Sequence, residues 1–181
     1  LQLFRLSVRK RPESGTNRDP SPDIDIDSSA NISTNQQRSV RRIFFQIIRH
    51  VQVDNADITV TGDIRFTAQI TISGVTVSIT STTGATLTSD GTSYNYGGML
   101  YIDGANVTLS GLHFMSGSAT GDGGCIYATA SDLIVNNSSF TECAASYVGG
   151  GGGGGAYITG STVTFEDSSI SSNSAVRHVV I

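Results

Sequence analysis

The chain of 181 residues is long enough for one domain with a sizeable hydrophobic core, and its net charge is −4. It contains 21 Gly and no Trp, which favours extended structure with many turns over a helical bundle. After residue 50 the only Lys or Arg residues are Arg65 and Arg177. This excludes nucleic-acid binding by the body of the chain, because such affinity rests on neutralised phosphates. No apolar run reaches the roughly 18 residues of a membrane-spanning helix.

Residues 1–37 are predicted to be a disordered leader, because they are polar and interrupted by prolines. Residues 23–27 alternate Asp with Ile like a strand, but Asp is a poor strand former. The basic cluster at residues 9–11 carries too few charges to predict a targeting signal or a polyanion-binding patch.

Residues 38–52 are predicted to form an N-terminal capping helix, because their apolar residues recur at helical spacing. This apolar stripe consists of Val40, Ile43, Phe44, Ile47, Ile48 and Val51. We expect the stripe to cover the open end of the strands that follow, since such an end exposes unpaired strand edges. The alternative is a basic amphipathic helix on an anionic membrane, since Arg38, Arg41 and Arg42 lie on the other face.

From Asp57 onward apolar residues alternate with polar ones, which is typical of short strands. The alternation is interrupted at Gly62-Asp63 and again at Thr83-Gly84, where we expect tight bends. Residues 53–181 are therefore predicted to form one β domain.

The stretch from Gly97 to Asn173 repeats one unit three times. Each copy begins with a Gly-Gly pair, continues through short apolar strands and ends in Ala. The pairs are assigned to Gly97-Gly98, Gly123-Gly124 and Gly154-Gly155, and the closing alanines are Ala119, Ala145 and Ala175. Equivalent strands begin at Val107, Leu133 and Val163, so the length varies mainly in the loop before each Gly-Gly. A fixed unit with a variable loop is the mark of a stacked repeat.

We expect equivalent strands to stack in parallel, so that their inward side chains form files along the stack. The predicted files contain Val107, Leu133 and Val163; Leu109, Val135 and Phe165; and Phe114, Phe140 and Ile170. Val77 precedes Val107 at a similar interval, so we expect an earlier coil of the same register. The predicted fold class is all-β: a right-handed parallel β-helix (solenoid) of roughly four coils with an N-terminal amphipathic capping helix.

The Gly-Gly-small-Ile/Tyr starts and the Phe-x-x-Asn-x-Ala endings resemble the GGAI and FxxN repeats of the polymorphic outer membrane proteins. More widely, the chain resembles the pectin-lyase-like right-handed parallel β-helices, over about Ile58 to Ala175. Asn173 keeps the Asn of the motif, whereas the other two copies have Cys143 and Gly117 in that place. The resemblance implies a secreted or surface protein.

Polysaccharide-degrading β-helices need convergent carboxylates or a basic residue. The candidate carboxylates are Asp122, Asp132, Glu142, Glu166 and Asp167. No second carboxylate stacks on Glu166 or Asp167 in the repeat alignment, so the acids are predicted to be solvated bend residues. His113 alternates with two inward residues and is predicted to lie outward on the surface. We therefore predict no catalytic, cofactor-binding or metal-binding residue and no cofactor.

Cys125 and Cys143 are predicted to be separate, largely buried thiols rather than a disulfide. The alignment places Cys125 at the start of a coil, level with Met99 and Ala156, and Cys143 at a different corner of the same coil. A disulfide needs Cα atoms within about 7 Å, and we expect the two corners to be farther apart than that.

The sequence leads us to expect a non-catalytic, extracellular or surface-displayed repeat segment, located at an outer membrane or cell wall. It would serve as a stalk or adhesin and would bind carbohydrate or a cell-surface protein, with no nucleic-acid partner and no transmembrane segment. The chain opens on Leu1, so we expect a fragment that continues into further coils of its own chain. The alternative is a fragment of a polysaccharide lyase, epimerase or hydrolase whose catalytic coils lie elsewhere.

Overall fold

The computed structural model describes residues 6–10, 25–26, 54–146 and 152–175, and within these ranges the chain contains strands and no helix. The predicted all-β solenoid is confirmed there as a parallel β-solenoid of about 4 turns. The capping helix predicted over residues 38–52 lies outside the described residues, as does most of the leader predicted over 1–37.

The strands are short and recur in the same order along the chain. Within the described ranges they are β1 (Leu6–Lys10), β2 (Asp25–Ile26), β3 (Ala56–Val60), β4 (Ile64–Phe66), β5 (Ile70–Ser73), β6 (Thr76–Ser89), β7 (Leu100–Asp103), β8 (Asn106–Met115), β9 (Ser118–Ala119), β10 (Ile126–Thr129), β11 (Asp132–Asn136), β12 (Ser139–Thr141), β13 (Ala144–Ala145), β14 (Ala156–Thr159), β15 (Thr162–Glu166), β16 (Ser169–Ser171) and β17 (Ser174–Ala175). The long strand β8 pairs with two shorter strands of the next coil, β11 and β12, and the long strand β6 pairs with β8 along most of its length.

The N-terminal edge of the largest sheet is covered by an antiparallel strand at β3. β1 lies against β3, with Leu6 opposite Val60 and Lys10 opposite Ala56, and β2 pairs with β1. An uncovered edge would expose unpaired backbone N–H and C=O groups. Two short segments of the region predicted as a leader are therefore extended: β1 pairs with β3 of the β domain, and β2 pairs with β1.

The other strands are parallel and form the sides of the coil. One sheet contains β5, β7, β10 and β14, and another contains β9, β13 and β17. The largest sheet contains β3, β6, β8, β11 and β15, with β4, β12 and β16 beside them. Val77 lies opposite Val107, which confirms the expected earlier coil.

Single residues in the left-handed backbone region make the bends. The residues at three successive bends are Gly104, Ala130 and Gly160; Gly111, Asn137 and Asp167; and Ser116, Glu142 and Ser172, with φ from 45° to 66°. A residue with a β-carbon loses roughly 1–2 kcal/mol in this conformation, and short polar side chains offset part of it with local hydrogen bonds. Two of the candidate acids, Glu142 and Asp167, are thus bend residues.

The predicted inward files are confirmed by the register of the parallel strands. The residues opposite one another are Val107, Leu133 and Val163; Leu109, Val135 and Phe165; and Phe114, Phe140 and Ile170. Phe140 is completely buried, whereas Phe165 and Ile170 are 36% and 54% exposed. The difference follows from position, because no described coil stacks on the last two.

The Gly-Gly pairs bring two backbones into contact across the coil. The first glycine has a positive φ, as at Gly97 (59°) and Gly123 (74°), which favours glycine. The second has no room for a side chain: a Cβ on Gly124 would lie closer than 3.0 Å to backbone atoms of Ala144 on the opposite side. The coil is therefore only two backbones thick where Gly124 faces Ala144, and we call this place the waist.

The third Gly-Gly pair was assigned one residue too late. β14 pairs with β10 so that Tyr157 lies opposite Tyr127, which aligns Gly153-Gly154, and not Gly154-Gly155, with Gly123-Gly124. With the pair moved, the second glycine and the closing Phe or Ile have the same separation in all three copies. A slip of one residue exchanges the inward and outward faces of a strand, so Tyr157 lies outward.

The prediction of free thiols is wrong, because Cys125 and Cys143 form a disulfide with Cα atoms 5.4 Å apart. Both residues are fully buried. The waist explains the error: the approach of Gly124 to Ala144 brings their chain neighbours, the two cysteines, within bonding distance. The alignment located the corners but carried no information about the thickness of the coil between them.

We expect the Cys125→Ala/Cys143→Ala double variant to lose about 3 kcal/mol of unfolding free energy, because the bond closes a loop of suitable length. Urea unfolding of the oxidised chain and the variant measures the difference, and the reduced wild-type chain should match the variant. Thiol titration of the unfolded wild-type protein without reductant should find no free thiol. Two free thiols would contradict the bond.

Asn173 ties its coil to the preceding one. Its Oδ1 accepts a hydrogen bond from the Cys143 backbone N–H at 2.8 Å, and its Nδ2 donates to the Phe140 carbonyl at 2.9 Å. One amide side chain therefore satisfies two backbone groups that flank the bend at Glu142. This gives the Asn of the Phe-x-x-Asn motif a structural role.

Candidate functional site

Three tyrosines form a row on the outward side of one sheet, and we call Tyr101, Tyr127 and Tyr157 the tyrosine ladder. They occupy the same register position in β7, β10 and β14. The ring centroids are 5.4 Å apart between Tyr101 and Tyr127 and 5.5 Å apart between Tyr127 and Tyr157, with planes within 15° of parallel. Such ring pairs stabilise a fold by about 0.5–1.5 kcal/mol each.

Tyr96 and Asp122 border the ladder. The Tyr96 ring is 42% exposed and tilts onto Tyr127 with centroids 4.9 Å apart. Asp122 is only 7% exposed, and its Oδ1 has no hydrogen-bond partner. The prediction of a solvated bend is therefore wrong for Asp122. A buried polar atom without a partner costs about 1–3 kcal/mol, and among the described side chains Asn136 Oδ1 is the other such atom.

Burial raises the pKa of Tyr127 above its ordinary value of 10.0, and the adjoining tyrosines and the Asp122 carboxylate add to the shift. The causes agree in sign, because low polarity and nearby negative charge both disfavour a phenolate. The Tyr127 phenol therefore keeps its proton at neutral pH, where its hydroxyl can both donate and accept a hydrogen bond.

Within the tyrosine ladder, Tyr127 presents its ring edge outward rather than an open ring face. The Tyr127 ring lies between those of Tyr101 and Tyr157, so its faces are covered. Two residues farther along the same strands, Asp103 and Thr129 are opposite one another, which adds a second polar row. The arrangement is suited to repeated hydrogen bonding along the stack.

Sequence reasoning missed the tyrosine ladder because of the misplaced third glycine pair. With the pair at Gly154-Gly155, Tyr157 was aligned with the inward residue Ile126 instead of with Tyr127. The signal was nevertheless present in the sequence. Counting back sixteen residues from the closing Phe or Ile of each copy places a Tyr three residues after the second glycine.

The structure does not bring the five candidate acids together. In the strand pairing the acids lie opposite residues of other types: Asp132 is opposite Asn106 and Thr162, and Glu166 is opposite Asn136. The Glu142 carboxylate accepts a hydrogen bond from the Ser116 hydroxyl. Asp122 lies before β10, and Asp167 lies at the next bend after Glu166. Among the described residues no group of three or more His, Cys, Asp and Glu could hold a metal ion.

His113 lies on the outward side of β8, as the alternation of the strand predicted. It is half-buried, whereas Leu112 and Phe114 on either side are fully buried. Its Nδ1 is hydrogen-bonded to the Ser139 hydroxyl at 2.8 Å, and its ring lies beside Gly84. These contacts give His113 a role in joining adjacent coils.

The described residues define the class of the protein as a parallel β-solenoid with a repeating coil. Comparisons with known protein families, curated proteins and solved structures found no match. In the part of the chain that the structure describes, no helix is long and apolar enough to cross a membrane.

Proposed function

We propose that the chain is a non-catalytic repeat segment, extracellular or displayed on a cell surface, that serves as a stalk or adhesive surface. The observation that carries this proposal is the buried disulfide between Cys125 and Cys143. Disulfides persist in oxidising surroundings such as the cell exterior and are rare in the cytosol. Coils that contact only their neighbours build an elongated, stiff support for whatever the outer faces bind.

The adhesive role is supported by the outward side of the sheet that carries the tyrosine ladder. Its tyrosines repeat in register from coil to coil, so a partner can meet the same chemistry several times. Carbohydrate or a cell-surface protein is the proposed partner. Further coils of the same kind would bury Phe165 and Ile170, which are exposed at the end of otherwise buried files.

The finer assignment is a right-handed solenoid of the pectin-lyase-like kind, with repeats like those of the polymorphic outer membrane proteins. Right-handed crossovers are strongly favoured between parallel strands. The bridging amide of Asn173 and the packed glycine pairs support the likeness, because both give the motif residues a structural reason to recur.

The extracellular location is tested on intact cells that make the protein. A membrane-impermeant amine or carboxyl label should modify the chain on intact cells, or the chain should be recovered from the medium. In both cases it should be isolated oxidised. A cytosolic protein used as a matched control should remain unlabelled. Recovery of the chain only from the cytosol, with free thiols, would overturn the proposal.

The non-catalytic character is tested by incubation of the purified chain with soluble polysaccharides, including polygalacturonate and neutral glucans. We expect no new reducing ends and no unsaturated products at any pH between roughly 4 and 10, the range spanned by ordinary carboxyl and phenol pKa values. Sustained release of either product would favour the alternative, a fragment of a polysaccharide lyase, epimerase or hydrolase. An Asp122→Asn variant would then show whether the buried carboxylate is responsible.

A further inference from the structure

We infer that the tyrosine ladder is a docking track for an extended, neutral, hydroxyl-rich glycan that runs along the stack with one pyranose on each coil. This inference rests on the proposed function of the chain as an adhesive segment. It names the class of ligand and the side chains that recognise it: Tyr101, Tyr127 and Tyr157, with Tyr96 at the border.

The spacing of the tyrosine ladder favours a glycan over a peptide. Successive rings are 5.4 and 5.5 Å apart, which is close to the advance of one sugar along an extended β-1,4-linked chain. An extended peptide repeats a side chain on one face about every 6.8 Å, since each residue advances about 3.4 Å. A peptide would therefore lose register with the tyrosines within a few residues.

The polar groups of each coil suit sugar hydroxyls. Each tyrosine combines an apolar ring edge with a hydroxyl that donates and accepts. Thr129 and Thr159 lie two residues beyond Tyr127 and Tyr157 on the same outward side, so each of these coils offers a second hydroxyl. The raised pKa of Tyr127 keeps its phenol protonated as a donor.

The charge of the described residues selects a neutral ligand. Residues 54–146 and 152–175 contain ten Asp or Glu and one Arg, Arg65. Asp122 places one of these carboxylates, buried and with Oδ1 unpartnered, beside Tyr127. A polyuronate or another polyanion would be repelled by Asp122 and by the net negative charge of these residues, whereas a neutral glycan would not.

The probe is cellohexaose, a linear neutral chain of β-1,4-linked glucose, added to the full 181-residue protein. Because the chain has no Trp, its intrinsic fluorescence comes from its six tyrosines, three of which form the tyrosine ladder, and a change in this fluorescence reports binding. We expect saturable binding whose affinity rises several-fold with each sugar from the dimer to the tetramer. Absence of binding at millimolar cellohexaose, or affinity independent of length, would overturn the inference.

Two variants locate the site. Tyr127→Phe keeps the ring and removes the hydroxyl, and we expect affinity for cellohexaose to fall about threefold to tenfold, the effect of one lost hydrogen bond. Tyr127→Thr removes both the ring and the phenol, and we expect it to weaken binding more than tenfold. Thr is the residue found at the same register position one coil earlier, where Thr71 lies opposite Tyr101. Unchanged affinity in both folded variants would overturn the inference.

Two controls complete the test. Tyr94 lies outside the tyrosine ladder, and its hydrogen bonds to Ser118 and Thr120 are made by its backbone. The Tyr94→Phe variant should therefore bind cellohexaose with the affinity of the wild type. Hexagalacturonate should not bind, and binding as tight as that of cellohexaose would overturn the assignment to a neutral ligand. If these binding tests fail, the tests of extracellular location and of catalysis are unaffected. The glycan inference and the proposed function can therefore be overturned separately.

Discussion

Gly124→Ala should destabilise the protein by about 4 kcal/mol or more, which is large for a substitution that adds one methyl group. The added Cβ would lie closer than 3.0 Å to backbone atoms of Ala144 across the waist and of Gly154 in the next coil. Neither neighbour can turn aside as a flexible side chain would. Gly98 and Gly154 have equivalent backbone contacts, so a shift at one coil would be passed to the next. Urea unfolding followed by circular dichroism measures the loss.

The matched control is Gly104→Ala. Gly104 has φ of 58° and no atom within 4 Å of an added Cβ, so only backbone strain of roughly 1–2 kcal/mol is expected. Ala130 occupies the equivalent bend of the next coil with φ of 48°, which shows that the bend accepts alanine. If Gly124→Ala costs no more than Gly104→Ala, the two backbones do not meet at the waist.

Phe140→Ala should cost roughly 3–5 kcal/mol of unfolding free energy, as large truncations in well-packed cores do. Phe140 is fully buried, and its ring stacks on Phe114 with centroids 4.9 Å apart and planes within 3°. It also meets Phe165 edge to face at 6.1 Å. The coils above and below are fixed by backbone ladders, so they cannot close the cavity, and the lost contacts are not regained.

Ile134→Ala is the control for Phe140→Ala. Ile134 belongs to the same coil, but it points outward from β11 and is 43% exposed. We expect its truncation to change the unfolding free energy by about 0.5 kcal/mol or less, as for most surface substitutions. A loss below about 1 kcal/mol for Phe140→Ala itself would mean that Phe140 is not part of a core.

The effects expected for Gly124 and Phe140 show how the solenoid is held together. The apolar file at Phe140 supplies burial, and the glycine contact at Gly124 sets the distance between opposite sides of the coil. The disulfide between Cys125 and Cys143 then joins the two sides at the waist. In our proposal, the outer side of the same coils is the adhesive surface. The tyrosines are in register there because the stacking of the inner residues sets the register of every strand.

The sequence by itself determined the parallel β-solenoid and its inward files. Strands with a period of two and a constant offset between copies have one way to bury their apolar side, which is to stack copy on copy. For this reason Phe114 and Phe140 could be placed opposite one another without coordinates. Similarly, the outward position of His113 followed from the burial of both of its neighbours.

Only the tertiary structure decided the disulfide and the burial of Asp122, and it corrected the register on which the tyrosine ladder depends. The disulfide depends on the thickness of the coil at the waist, which arises from contact between residues on opposite sides and leaves no periodic signal. The ladder depends on the register of the third copy, which follows the run Gly149–Gly155. Glycine has no side chain, so a run of glycines does not mark which position faces inward. The glycines alone therefore left the position of Tyr157 open, and the hydrogen-bonded pairing of β14 with β10 fixed it, in agreement with the count back from Ile170.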